Sequence, residues 1–276
     1  MKKWILSILL VVVLASLAAC GSDSASSKQE KEEGLLSDGK LVVGVTAGPH
    51  EQILEKVKEL GEKKGLKIEL KVFNEYVMPN VALAEKQLDL NVFQHEPYLN
   101  AFKEDRNLDL VKVGDTVNFP MGIYSTSVKD VKDLKKGAKI GLPNDPTNGA
   151  RALILFEQAG LIKLKEGVGV KATLKDIEEN KNDYQFIELE ASQIPRQLEE
   201  LDAAAINTNF AIEHGFVPSK DSIFIEPKDS PWVNIAAVRS ESKDDEAVQQ
   251  FLDLYHSDEV KKFIEETFQG SVVASW

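Results

Sequence analysis

The chain contains a single cysteine, Cys20, among 276 residues. No disulfide can therefore form within it. Its four histidines, His50, His95, His214 and His256, stand far apart. No two share the short spacing of a zinc site, which argues against metal chemistry. The catalytic signatures G-x-S-x-G and H-E-x-x-H and the phosphate-binding P-loop are missing. Gly167-Val168-Gly169-Val170-Lys171-Ala172 fits G-x-G-x-x-A, but no strand runs directly into it, as a nucleotide fingerprint requires. Positive charge is in deficit, with 33 Lys and Arg against 45 Asp and Glu and a formal net charge of −12. Such a chain gains nothing from phosphate backbones, so nucleic acid is excluded as a partner. An anionic membrane surface repels it too, so membrane attachment has to be covalent. One long apolar run exists, from Trp4 to Ala19. It is short for a span of about 20 residues, and no hydrophobic anchor follows it.

That run begins after Met1-Lys2-Lys3 and ends at Leu17-Ala18-Ala19-Cys20. A basic start, an apolar middle and small residues before a cut site make a secretory signal. The tetrapeptide resembles the bacterial lipobox, whose cysteine thiol takes a diacylglyceryl group and becomes the new N-terminus. Two acyl chains suffice for stable attachment, where one is marginal. The other readings are a signal peptide with an incidental cysteine, or an N-terminal transmembrane helix. Gly21 to Gly34 is rich in Ser, Lys, Glu and Gln and cannot bury enough apolar surface to fold. It reads as a flexible tether reaching about 20 Å.

Behind the tether, strand and helix patterns alternate. Apolar strands are expected at 41–45, 67–73, 88–93, 110–117 and 121–125, with helices at 51–64, 77–87 and 97–105 between them. The rhythm restarts with strands at 138–142, 184–189, 203–206, 222–225 and 233–238. Helices are expected at 148–160, 173–180, 192–200, 209–214, 244–256 and 258–268. Alternation of this kind predicts an α/β fold of open, mixed, mostly parallel sheets with helices on both faces. Two runs of the pattern predict two lobes. The expected division is a signal peptide at 1–19, the lipidated cysteine and tether at 20–38, lobe 1 at 39–125 plus 231–276, and lobe 2 at 126–230.

Ligands of open α/β sheets bind beyond the carboxyl ends of strands, so the residues just after each strand are the candidates. Phe93-Gln94-His95-Glu96-Pro97-Tyr98 puts two aromatics and an imidazole at one strand-to-helix turn. It reads either as a helix cap with a hydrophobic staple or as an apolar slot with a polar edge. Asn74-Glu75-Tyr76 supplies a third ring. Pro143-Asn144-Asp145-Pro146-Thr147-Asn148-Gly149-Ala150-Arg151 is a turn full of capping residues. It places Arg151 in the first turn of the following helix, whose N-terminus is already positive. Two positive elements point to an anion, and a guanidinium suits a carboxylate. Asn207-Thr208-Asn209, and Asn234 after Ser230-Pro231-Trp232, offer amides that accept from an ammonium and donate to a carboxylate. Each also reads as an ordinary turn residue.

Several of these segments, with Leu142-Pro143-Asn144-Asp145-Pro146-Thr147-Asn148, Glu188-Leu189-Glu190-Ala191, Ile206-Asn207-Thr208-Asn209 and Phe268-Gln269-Gly270-Ser271, resemble the methionine-binding lipoproteins. These are the substrate-binding components of the methionine ABC importer, also called the NlpA lipoprotein family. The resemblance covers nearly the whole chain after Cys20. It implies a two-lobed periplasmic-binding-protein fold with a ligand cleft between the lobes, which close over L-methionine. It implies a thioether slot from Tyr76, Phe93, His95 and Tyr98, with Arg151 on the ligand carboxylate and Asn148, Asn207 and Asn234 on the zwitterionic head. The chain departs from the family pattern at Pro146 and Gly149, which adds Asn144 as a candidate for the same role. Asn209 falls where the family has a non-amide residue and is left out of the expected set. The implied partners are the permease and ATPase subunits of the importer and the bilayer that holds acylated Cys20 on the extracytoplasmic face. The implied protein has no cofactor and is not an enzyme. D-methionine or a methionine-containing dipeptide are alternative ligands. A metal-delivery lipoprotein and an extracytoplasmic hydrolase using His95 with Glu96 are alternatives of other classes.

Overall fold

The computed structural model describes residues 34–36 and 38–276. The signal segment, Cys20 and most of the expected tether lie outside the described residues. Gly34–Trp276 forms one compact unit.

The first half builds β1 (Leu41–Thr46), α1 (Pro49–Lys64), β2 (Ile68–Phe73), α2 (Met78–Ala84), β3 (Leu90–His95), α3 (Glu96–Arg106) and β4 (Leu110–Asn118). The start of α1 is set by Pro49 at its first position, and its end by Gly65 in a left-handed conformation, φ 85°. Ile53, Leu54 and Val57 on its inner face are fully buried. The chain then crosses to a second sheet through β5 (Gly122–Tyr124), β6 (Lys139–Pro143), α4 (Pro146–Gln158), β7 (Lys163–Leu164), β8 (Ile177–Glu179) and β9 (Gln185–Leu189). It continues with α5 (Ile194–Gln197), β10 (Ala203–Ile206), α6 (Thr208–Glu213), α7 (Pro218–Asp221) and β11 (Phe224–Ile225). A second crossing returns it to the first sheet as β12 (Val233–Arg239), α8 (Glu246–Tyr255), α9 (Asp258–Phe268) and β13 (Val273–Ala274).

The first sheet has the order β13-β4-β12-β3-β1-β2, and the second β11-β5-β10-β6-β9. β1 is parallel to β2 and β3, and β6 is parallel to β9 and β10. The strands that adjoin the crossings pair antiparallel: β12 with β3 and β4, and β5 with β10 and β11. The expected mostly parallel pairing thus holds on one side of each sheet only. β5 belongs to the second sheet, so the first crossing falls at 119–121, not after Ser125. The second crossing occupies 226–232. Asn118 ties the crossings together, its Nδ2 donating to Ser230 O at 2.9 Å and Lys228 O at 3.2 Å.

Two helix expectations are corrected. Residues 173–180 form one 3₁₀ turn, Leu174–Asp176, closed by a capping box between Thr173 and Asp176, and then β8. The segment has too few apolar residues to hold a helix against a core, so it pairs with β7 as a small ribbon. Residues 192–200 are broken around Pro195 into a 3₁₀ turn, the single-turn α5 and another 3₁₀ turn. Each lobe has its own apolar core. A third cluster spans both, joining Tyr76, Phe93 and Tyr98 of the first lobe to Tyr124, Ile194 and Phe210 of the second. The cleft lies at that junction.

Candidate functional site

The cleft is walled from the first lobe by Phe93 and His95 at the end of β3, Tyr98 in α3, and Tyr76 just after β2. The second lobe supplies Asn148 and Arg151 from α4, and Asn207, Thr208 and Asn209 from the turn after β10. Asn234 joins them from the start of β12, opposite His95 in the ladder. The space between these walls is a narrow cleft. Asn144 is not part of it. It is exposed and borders a separate surface hollow. The helix cap is Asp145, whose carboxylate accepts from Asn148 N–H, so Asn144 lies outside the turn that aims Asn148 inward.

The aromatic end is tightly built. The Tyr76 ring lies 4.8 Å from Phe210, 5.9 Å from Phe93 and 6.0 Å from Tyr98, centroid to centroid. These are favourable tilted and edge-on separations. The Tyr76 hydroxyl donates to Asn209 Oδ1 across the cleft at 2.6 Å. Burial pushes the Tyr76 and Tyr98 phenols up, so both remain protonated.

His95 caps α3, its Nδ1 accepting from Tyr98 N–H at 3.1 Å. Its Nε2–H therefore donates to Asn148 Oδ1, 3.2 Å away on the other lobe. Burial, helped by nearby Arg151, pushes its pKa down to about 3, so the imidazole is neutral with one fixed tautomer. Glu96 is exposed and pairs with Lys112 at 3.0 Å. The structure does not assemble His95 and Glu96 as an acid–base pair. Asn148 is a bridge: its Oδ1 also accepts from Asn207 Nδ2 at 2.9 Å, and its Nδ2 donates to Asp145.

Arg151 is the sixth residue of α4, not a first-turn residue as expected. Dipole effects fade within the first turn, so they do not explain its place. A buried carboxylate does: Glu226 accepts from Arg151 Nε at 2.8 Å and Nη2 at 2.6 Å. The Trp232 ring lies 5.4 Å from the guanidinium carbon and, tilted, 5.1 Å from the His95 ring. Among the described residues, Arg151 Nη1 has no partner. Two buried polar atoms on the cleft wall are also without one: Asn207 Oδ1 and Asn209 Nδ2. Native interiors rarely leave such groups unpaired, and both belong to residues that line the same cleft as Arg151.

The expected set left out Asn209 and Thr208, and also Gln94 and Phe119, all of which line the cleft, as well as Trp232, which packs on Arg151 and His95, and Glu226 behind the wall. The first two stand in the same turn as Asn207, and Trp232 stands two residues before Asn234. That local clustering was an available signal. Glu226 had none, being 75 residues from Arg151.

Over residues 41–276 the chain matches the family model described as NlpA lipoprotein. It belongs to the NlpA lipoprotein family. The D-methionine-binding lipoprotein MetQ of Salmonella typhimurium is 42% identical over 264 residues, covering 95% of this chain and 93% of that one. The probable D-methionine-binding lipoprotein MetQ of Vibrio cholerae is 41% identical over the full length of both. Among solved structures, a nutrient-binding protein from Burkholderia cenocepacia bound to methionine superposes with a TM-score of 0.84 at 44% identity. It covers 86% of this chain and all of its own. The two-lobed binding-protein architecture of the NlpA family is thus the fold of this chain. Among the described residues no helix is long and apolar enough to cross a membrane. No group of three or more His, Cys, Asp or Glu among them is placed to hold a metal ion.

Proposed function

We propose that the protein is a lipid-anchored extracytoplasmic receptor that captures L-methionine and delivers it to the permease and ATPase of an ABC importer. The observation that carries this reading is one cleft lined both by aromatic rings and by residues with unpaired polar atoms. Arg151 Nη1 suits the ligand carboxylate, and Asn207 Oδ1 suits its ammonium, beside the Asn234 amide. Burying either ligand charge is costly unless it is paired. A thioether against Tyr76, Phe93 and Tyr98 gains about 0.3–1.5 kcal/mol per sulfur–aromatic contact. Asn148 holds His95 and Asn207 in place. With His95 neutral and capping a helix, the site has no group poised to attack or to shuttle a proton, which supports binding without turnover. Acylated Cys20 would hold the receptor at the extracytoplasmic face of the cell membrane, beside its transporter.

Isothermal calorimetry on the purified full chain in detergent tests the reading. Saturable heat with L-methionine is expected. No heat with L-methionine, D-methionine or methionyl dipeptides would overturn it. The hydrogen bond from Tyr76 to Asn209 joins the two lobes directly, so it favours the closed state. Tyr76→Phe is expected to weaken methionine binding about two- to tenfold, the equivalent of one net hydrogen bond of about 0.5–1.5 kcal/mol. Titration of the tryptophan fluorescence, to which Trp232 beside the cleft contributes, would read this, and unchanged affinity would show that the bond does not contribute to closure.

A further inference from the structure

Arg151 offers the cleft only part of its guanidinium. Nε and Nη2 are held by both oxygens of Glu226, and Nη2 also donates to Phe119 O at 2.7 Å. The two side chains are 2% and 5% exposed. Glu226 Oε2 accepts in addition from Met121 N–H at 2.8 Å. The ion pair is therefore fastened to both crossings between the lobes: Phe119 and Met121 belong to the first, and Glu226 opens the second. This clamp fixes the orientation of Nη1. Glu226 itself does not line the cleft. Among the described residues, Arg151 is the one charged residue that lines it.

We propose that Glu226 is the specificity-determining residue behind Arg151, and that by cancelling its charge within the wall it restricts the site to ligands that carry an ammonium together with a carboxylate. The inference rests on the reading of the cleft as an amino-acid site. A lone buried arginine would attract any carboxylate, amino acid or not. With Glu226 in place the wall is already neutral. A bare carboxylate then brings one uncompensated charge into a desolvated slot, which is unfavourable. A zwitterion brings its own balance. Asp145 is the other carboxylate close by. It is occupied by Asn148 and Thr147 and adds to the negative side, so it reinforces the demand for an ammonium. Glu226 acts through Arg151 and is a positioning residue, so the test needs a readout that a purely structural role would not move.

That readout is the affinity ratio between methionine and 4-(methylthio)butanoate, which is methionine without its ammonium. Calorimetry on the full chain in detergent is expected to show methionine bound at least a hundredfold more tightly. In Glu226→Gln the ratio should narrow at least tenfold, because the wall becomes more positive and the bare carboxylate gains. Glu226→Asp keeps the charge and should keep the ratio, even where both affinities fall. A Glu226→Gln protein in which both ligands weaken in proportion would overturn the proposal. Wild-type protein that binds 4-(methylthio)butanoate within tenfold of methionine would overturn it too, and needs no variant to fold. Wild-type protein that binds neither compound defeats the reading of the cleft, which is a separate failure.

Discussion

Arg151→Ala is expected to weaken methionine binding by roughly thirtyfold to several thousandfold. That corresponds to about 2–5 kcal/mol for truncating one partner of a buried, hydrogen-bonded charge pair. The same substitution strands Glu226 among buried groups. Removing one member of a buried ion pair costs about 3–5 kcal/mol of stability, so urea unfolding of the ligand-free protein should shift strongly as well. The two effects can be separated. Arg151→Ala combined with Glu226→Gln removes the stranded charge, so it should recover most of the stability and none of the binding. Arg151→Lys keeps the charge but not the planar fork that holds both Glu226 oxygens and Phe119 O at once. It should fall between wild type and Arg151→Ala in both measurements. Unchanged methionine affinity in Arg151→Ala would remove the residue from the site.

The aromatic wall was legible because it follows a rule that local sequence can express. Phe93, His95 and Tyr98 sit at the carboxyl end of a central strand, and Tyr76 just beyond its neighbour but one in the sheet. Rings in those positions have the cleft to face. The turn before α4 was harder. It holds several capping residues in succession, and the sequence does not say which of them closes the helix. Asp145 does, which turns Asn148 and Arg151 inward and leaves Asn144 outside. Asn209 was set aside because it departs from the family pattern, yet it makes the direct hydrogen bond to Tyr76. Glu226 was invisible for a different reason. Its partner is reached only when the two crossings come side by side, and no periodicity or turn signal encodes that meeting. In the segment 173–180 a capping box closes only one turn. A cap marks where a helix can start, while burial of an apolar face decides whether it continues.

Acid should destabilise the folded protein well before its carboxylates titrate, and two histidines are the cause. His50 in α1 and His95 at the cleft are 1% and 4% exposed. Burial pushes the pKa of each down to about 3. In the unfolded chain both return to about 6.5. Between those values the unfolded state binds more protons than the folded one, so stability falls as pH falls. The contribution is complete above pH 6.5 and is lost progressively toward pH 3. From pH 7 to pH 5 the two groups together should remove about 4 kcal/mol, a large share of the roughly 5–15 kcal/mol typical of a folded protein. Asp89 and Asp145, whose carboxyls burial holds above their usual range, act in the opposite direction, between those raised values and the ordinary pKa of about 4. Urea midpoints measured at pH 7, 6 and 5 would read the slope. His50 packs on Phe119 at 4.6 Å, and its Nδ1 has no partner among the described residues, so His50→Leu removes the titration without stranding another polar group. That variant should keep about half of the wild-type slope, the remainder belonging to His95. A slope that His50→Leu leaves unchanged would mean that His50 is not held neutral in the fold. Methionine affinity of the folded protein should meanwhile stay flat from pH 8 to pH 6, because His95 carries no proton to exchange there. Stability that drops while affinity holds would separate the histidines that shape the lobes from the ionised groups, Arg151 and Glu226, that face or back the ligand.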